Sequence, residues 1–592
     1  MPTPRTSDAE LRRTLKVIQK YPGDRARAAA DLGLTRSGLT TRIVAIRARF
    51  PESVIPVTPP RNGRTLTAEE VADTVAAVER TGSISAAAQH LGLHRSALQD
   101  RLRRAKTRTD WQPQGKSRAL KAKPFPLPTP GQIARYILTC AQSGTKLHEP
   151  TWNVLHSLAK HYGADVLVST FSYAHRQEGS AKRGTQSWDA GTDWYDPRIE
   201  PYTCDSMVAL APSLIFNGHM NILPTAVDPL SGLNNYNGRH SSVFPHAKVA
   251  MVSIPTMAGH AAKLQYTTGA CTQLNYLQKK AGQKAEFDHV FGGLLVEVNS
   301  AGEWWARQLH VDSKGRLYDL DTMVMPDGTV GPAPGAAALV FGDLHEVHLT
   351  DRSRWAPGGM VDVLSPGVQI AHDILDFEAR GHHNRRDPHK MFELHARGRE
   401  CVRREVEGVG DLLKAMSSLS RVVVVNSNHD RHLERWLKEA DWRADPVNAQ
   451  FFLECQRAYL NAICAGKSFD ALKWAVQKYN PVKGVQFLAP GDSYVVCRDG
   501  GGGVELGLHG DMGPGGARGS IRNLSRLCRK VVIGHSHSAG IFNGAYQVGV
   551  SADMNAFSYA RGAPGAWSHT DCVVYANGKR ALITWHNGKW RA

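Results

Sequence analysis

Ala338-Leu339-Val340-Phe341-Gly342-Asp343-Leu344-His345 sets an apolar run against an Asp-x-His step. The same juncture recurs three times. Arg421-Val422-Val423-Val424-Val425 leads through Asn426 and Ser427 to Asn428-His429-Asp430. Val504-Glu505-Leu506-Gly507-Leu508 leads to His509-Gly510-Asp511, and Lys530-Val531-Val532-Ile533 leads to Gly534-His535-Ser536-His537. Each run reads as a buried strand. Ligands collect at the C-terminal ends of strands in open sheets. The four junctures therefore bring Asp, Asn and His side chains to one sheet edge, as a ligand set for two metal ions. Two cations a few ångströms apart form a device for cleaving phosphate esters.

A fifth segment, Ala371-His372-Asp373-Ile374-Leu375-Asp376-Phe377, also follows a short apolar run. Its Asp-x-x-Asp step puts one carboxylate on a metal and a second beside it. The chain has 26 histidines, so any one of these motifs is more often a turn than a ligand site. Five in sequence carry more weight. In the order D-x-H, G-D-x-x-D, G-N-H-D/E, H and G-H-x-H, the set resembles the calcineurin-like metallophosphoesterase superfamily over roughly residues 335–590. It departs from that pattern at His372, where the family usually has Gly, and at Ser427 in the same role; neither is read as a ligand.

The resemblance implies a role for each residue. Asp343, His345 and His537 hold one metal; Asn428, His509 and His535 hold the other; Asp373 bridges both. His429 stands near the scissile phosphate as acid or electrostatic clamp, and Asp376 orients it. A bridging carboxylate lets two dications sit close, and Asn adds an oxygen ligand without negative charge to repel phosphate. A shell of several imidazoles with oxygen suits Mn, Fe or Zn better than Mg. Two divalent ions are thus the expected cofactor, Mn²⁺ first, with Fe, Zn or Mg as alternatives.

Composition bounds the rest. The 592 residues are too many for one core, so several domains are expected. Apolar content of 42% is ordinary for globular protein, and no run of 18 apolar residues suggests a membrane span. The start, Met-Pro-Thr-Pro followed by charges, has no apolar signal core. Nine scattered cysteines without a Cys-x-x-Cys pair read as reduced thiols in a cytoplasm. The net charge of +18 is uneven: residues 1–130 hold 24 Lys and Arg against 11 Asp and Glu.

That basic segment also contains a repeat. Leu32-Gly33-Leu34-Thr35-Arg36-Ser37-Gly38-Leu39 returns as Leu91-Gly92-Leu93-His94-Arg95-Ser96-Ala97-Leu98. Each copy follows an Ala-rich helix, turns at Leu-Gly-Leu, and opens a second helix with an i, i+4 apolar face, Leu39 and Ile43 or Leu98 and Leu102. The copies resemble the Fis-like helix-turn-helix of bacterial DNA-binding proteins, with recognition helices near Arg36–Arg47 and Arg95–Lys106. Arg36, Arg42, Arg95 and Arg101 are expected on the outer face as DNA contacts. Paired protein-interaction hairpins are the rival reading.

The middle is less distinctive. Arg135–Ala141 reads as a strand, Thr151–Tyr162 as a helix and Ala164–Phe171 as a strand, which suggests a small parallel α/β unit. The opening Arg135-Tyr136-Ile137-Leu138-Thr139, with Ala141-Gln142, followed later by the metal motifs, is similar to the early-expressed nuclease proteins of T5-like phages. That resemblance implies a part in destroying host DNA.

The expected organisation is helix-turn-helix at 1–50, a linker at 51–66, helix-turn-helix at 67–108 and a basic, Pro-rich linker at 109–130. An α/β domain of unassigned role fills 131–330, and a metallophosphoesterase domain fills 335–592. The fold class is α/β: a C-terminal sandwich of mixed β-sheets flanked by helices, a middle α/β domain and two small all-α domains. The expected activity is that of a metal-dependent nuclease of the host cytoplasm, if phage-encoded. DNA is the expected partner, with RNA left open, no membrane involved, and self-association left open. The alternatives are a phosphatase of protein or small-molecule phosphoesters, and a DNA-binding regulator with a degenerate enzyme domain.

Overall fold

The computed structural model describes residues 6–21, 25–50, 68–81, 84–93, 97–98, 101–102, 122–173, 194–498, 502–527 and 530–592. The chain forms two compact units, Met1–Ala119 and Leu120–Ala592.

In the first unit, Asp8–Lys20, Arg25–Asp31 and Arg36–Arg49 are helices. Ser7 and Glu10 cap the first reciprocally, which satisfies backbone donors that a helix start leaves open. Thr35 caps the third by accepting from the Gly38 N–H. Gly33 has φ +63°, a left-handed turn suited to glycine, and Gly92 repeats it. Leu11, Ile18, Ala28, Ala29, Leu39, Ile43 and Ile46 form the first core. In the second copy, Ala68–Thr81 and Ile84–His90 are helices, and Leu98 and Leu102 bury against Ala77, Ala87 and Ala88. The expected linker 51–66 and the part of the expected linker 109–130 up to residue 121 lie outside the described residues, while Lys123–Pro124 within the latter pairs as a strand with Val208 and Ala209.

The second unit is built on stacked sheets. A six-stranded sheet has the order Val485–Phe487, Arg421–Val424, Val368–Ala371, Ala338–Val340, Thr570–Val574, Arg580–Thr584. Its first four strands are parallel and its last two antiparallel. One face packs on the helices Val402–Ser417, Ala449–Cys464 and Ala471–Tyr479, where Leu339, Phe341, Val422 and Val424 meet Val409, Leu413 and Phe452. The other face, with Val340, Ile370 and Val423, shares a core with Phe216, Val532, Ile541 and Tyr546 of an eleven-stranded sheet. Strands buried on both faces explain the near-continuous apolar runs.

The middle segment follows the expected strand–helix–strand: Ile133–Gln142, Glu149–Tyr162 and Asp165–Phe171, with the two strands parallel. Gly292–Asn299 and Trp304–His310 complete a four-stranded sheet. The expected boundary at 330–335 does not separate two folding layers. Gly540–Phe542 pairs antiparallel with Met251–Ile254, so strands from both sides of that boundary share the eleven-stranded sheet. The helices that cover the sheet come in pairs, Pro388–Ala396 with Val402–Ser417 and Ala449–Cys464 with Ala471–Tyr479. Gly398 and Gly466, at φ +65° and +63°, end Pro388–Ala396 and Ala449–Cys464 with left-handed turns. Among the described residues no helix is long and apolar enough to cross a membrane.

Candidate metal centre

Three loops leave adjacent parallel strands of the six-stranded sheet. Asp343 and His345 follow Ala338–Val340, Asp373 and Asp376 follow Val368–Ala371, and Asn428 and His429 follow Arg421–Val424. Two more loops leave parallel strands of the facing sheet: His509 follows Val504–Glu505, and His535 and His537 follow Lys530–Ile533. Backbone hydrogen bonds tie the loops together. The His345 N–H donates to the Asp373 carbonyl at 2.7 Å, and the Gly534 N–H to the His509 carbonyl at 2.7 Å. His345, Asp373, His535 and His537 have φ of 42°, 43°, 74° and 58°. Each such conformation costs a non-glycine residue on the order of 1–3 kcal/mol, and such strain gathers at functional sites.

Asp343, His345, Asp373 and His537 form one buried cluster whose ligand atoms lie within 4.8 Å of one another. His345 Nε2 is 3.2 Å from His537 Nε2 and 3.8 Å from Asp373 Oδ2. Asp343 Oδ2 is 3.2 Å from His537 Nε2 and accepts from the His535 N–H at 2.8 Å. Asp343 Oδ1 is buried without a hydrogen-bond partner. A second group adjoins the first. Asn428 Oδ1 lies 3.0 Å from His509 Nε2 and 3.0 Å from His535 Nδ1. His509 Nε2 is 3.3 Å from Asp373 Oδ2, so Asp373 stands between the groups. Ligand atoms that each lie about 2.1 Å from one ion, at right angles to it, are about 3 Å apart. The donor chemistry, the spacing and the orphaned carboxylate oxygen all fit a cation.

Asp376 lies behind this centre. Its Oδ1 is 2.9 Å from His345 Nδ1 and 3.4 Å from His429 Nδ1. Burial opposes charge on His429, but Asp373 and Asp376 outweigh it and raise the imidazole to about 10. Burial likewise opposes the Asp373 carboxylate, and His509 and His429 outweigh it, holding the group well below its ordinary value. Without a bound cation, the two carboxylates thus favour a charged imidazole at His429.

Sequence reasoning passed over several neighbours. His372, read as supplying no ligand, is fully buried with Nδ1 3.4 Å from His509 Nδ1, and it groups with Asp343 and His509. His348 Nε2 reaches Asp376 Oδ2 at 3.5 Å; its i+3 spacing from His345 was the available signal. Arg431 pairs with Asp511, holding the His509 loop to the Asn428 loop. Phe557, whose ring centroid is 4.8 Å from His345, and Trp567 form an aromatic wall that no motif marked.

Of the four expected DNA-contact residues, the structure describes the side chains of Arg42 and Arg101. Arg42 does not stand free on an outer face. It turns onto the first helix, 3.7 Å from the Glu10 carboxylate and 3.3 Å from Thr14 Oγ1. Arg101 repeats this with Glu70 at 3.9 Å. Both precede a buried residue of the packing stripe, Ile43 or Leu102, and that position carries the side chain over the neighbouring helix. Arg95 and the Arg36 side chain lie outside the described residues.

Protein A1 of Escherichia phage T5 is 35% identical over 485 residues, 78% of this chain and 83% of that protein. The chain belongs to the Protein A1 family. Residues 72–122 match the PucR C-terminal helix-turn-helix domain, which takes in the second repeat. This member of the Protein A1 family thus joins a helix-turn-helix domain of the DNA-binding type to a unit with a buried Asp and His cluster able to hold metal.

Proposed function

We propose that this protein is a phosphodiesterase of the calcineurin-like type that cleaves DNA with two divalent metal ions, Mn²⁺ first, and is brought to its substrate by the N-terminal helix-turn-helix unit. One observation carries the reading: Asn428 Oδ1 is held 3.0 Å from both His509 Nε2 and His535 Nδ1, while Asp373 reaches from that trio to the Asp343, His345 and His537 group. A structural polar core would pair its carboxylates with donors; this one leaves Asp343 Oδ1 without a partner.

Asp343, His345 and His537 would hold one ion and Asn428, His509 and His535 the other, with Asp373 available to both. Bound there, the ions would supply a water activated at neutral pH and positive charge for the phosphoryl oxygens. The protein's own contribution is orientation and a proton. Asp376 fixes the His345 ring through Nδ1, leaving Nε2 for coordination. His429, charged and not a ligand, clamps the phosphate and gives its proton to the leaving oxygen.

The test is cleavage of supercoiled plasmid, linear duplex and single-stranded DNA by metal-stripped protein, before and after Mn²⁺ is restored, with bound metal counted by mass spectrometry. Cleavage should vanish in EDTA and return with about two ions per chain. Full activity in EDTA, or intact DNA in Mn²⁺, would overturn the reading.

A further inference from the structure

Beside His429 lies a small cleft, open to solvent and bordered by Asp376, Glu378, His382, His432 and Tyr559, that the metal ligands do not occupy. Its two sides differ in chemistry. On one side Tyr559 is exposed, at 59% relative accessibility, with its ring centroid 5.7 Å from Phe557 and 6.2 Å from Trp567. Phe557 is buried and touches His345, so the wall supporting Tyr559 is anchored at the metal centre. On the other side, His432 lies 4.8 Å from His429, and His382 lies 4.9 Å from His432.

The acidic groups of this cavity are already engaged. Asp376 is held by His345, His429 and His348. Glu378 is paired with Lys390 at 3.0 Å and Arg399 at 2.7 Å. A polyanion entering here meets imidazoles and a Glu378 whose charge is paired with two cations. An exposed ring held by two others at the mouth of such a cavity is a surface on which a flat heterocycle stacks.

We infer that the cavity between Tyr559 and the His382–His432 pair seats the base of the nucleotide next to the scissile phosphate, so the strand cleaved at this centre is unpaired there. The inference rests on the phosphodiesterase reading and narrows its substrate. Only the nucleotide adjoining the cut can reach, because the cavity borders His429 itself. A base within a duplex has both faces stacked and its edge paired, and must leave the helix to lie on Tyr559. Single strands, frayed ends and gaps offer that base at little cost; an intact duplex does not.

Two experiments on the full chain decide the matter. In the first, kinetics are measured for Tyr559→Ala and Tyr559→Phe on a short single-stranded oligonucleotide and on the same oligonucleotide with an abasic residue next to the cut. Stacking of one base is worth about 1–3 kcal/mol, so Tyr559→Ala should raise KM on the normal strand by about 5- to 150-fold. Tyr559→Phe should stay close to wild type. The alanine penalty should disappear on the abasic strand. An equal penalty on normal and abasic strands, or no penalty on either, overturns the inference.

The second experiment needs no turnover. An oligonucleotide carrying 5-iodouracil is irradiated with the protein in EDTA, and the cross-link is mapped by mass spectrometry. A cross-link at Tyr559 that the alanine variant loses supports the stacking site, even if the metal reading fails. Cross-links confined to residues 1–119 overturn it, even if the enzyme cleaves DNA.

Discussion

Asp376 Oδ1 lies 2.9 Å from His345 Nδ1 and 3.4 Å from His429 Nδ1, so one carboxylate orients both a proposed metal ligand and the proposed acid. The sequence assigned it only the second task. The two tasks separate by mutation. Asp376→Asn should weaken metal binding by about 10- to 100-fold, the usual cost of losing a partner behind a ligating imidazole. It should also lower turnover at saturating Mn²⁺. His429→Ala should keep its metal and lose about 10²- to 10⁴-fold in turnover. Metal titration and steady-state kinetics on both variants check this; loss of metal from His429→Ala would make His429 a ligand.

Gly534 offers a test of the shape of the centre. A Cβ there would meet Asp343 Oδ1 at 2.3 Å, and that oxygen sits in a fully buried residue held by the His535 N–H. Asp343 cannot yield without leaving its position. Gly534→Ala should therefore cost about 1–3 kcal/mol, as overpacking does, and should lower metal content more than a substitution elsewhere with the same loss of stability. Metal content and urea midpoints measured together distinguish local damage from general unfolding.

The sequence made the five motif loops legible because each apolar strand stops at a polar step. The pairing of sheets was not legible. Gly540–Phe542 joins Met251–Ile254 across a long stretch of chain, and neither short strand carries a mark of its partner. Gly398 and Gly466 were visible as glycines, but a lone glycine inside an apolar pattern reads equally as a tolerated helix residue. The aromatic wall stayed hidden because Phe557, Tyr559 and Trp567 have no periodic spacing; the loop after Val550 brings them together. His372 was set aside for standing in a glycine position, yet its ring packs on His509. For Arg42 and Arg101 the helical pattern located the helix but misjudged the face, because a long side chain beside the buried stripe can reach over its neighbour.

Division of labour between the two units follows from charge and topology. Every proposed metal ligand lies in Leu120–Ala592, and residues 1–130 carry 24 of the 72 Lys and Arg against 11 acids. Deleting residues 1–119 should weaken DNA binding and flatten its salt dependence, since fewer phosphate contacts release fewer counterions. It should spare hydrolysis of a small phosphodiester. Arg42→Ala and Arg101→Ala should each change DNA affinity much less than the deletion does, because these side chains are engaged by Glu10 and Glu70. Affinity measured across a salt titration checks both statements. Equal slopes for the full and shortened chains would make the repeats protein-interaction modules.

Acid should destabilise the second unit through His246, far from any motif. The residue is fully buried; its Nδ1 accepts from the Lys248 N–H at 2.9 Å and its Nε2 donates to the Leu223 carbonyl at 3.3 Å. Both nitrogens are thus used by the neutral ring, and a second proton on Nδ1 would face an N–H. Burial accordingly lowers the group from 6.5 to about 4. The sign follows directly: between these values the unfolded chain takes up a proton that the folded chain refuses, so falling pH favours unfolding. The stabilisation is intact above about pH 6.5, declines as pH falls and is gone below about 4; a depression of that size is worth about 3 kcal/mol. His246→Gln keeps an acceptor and a donor but cannot titrate. Its urea midpoint should fall less steeply than that of the wild type between pH 7 and pH 4, whatever its stability at neutral pH. Parallel pH profiles for the two proteins would mean that His246 is protonated in the folded state and that the Lys248 contact is broken in acid.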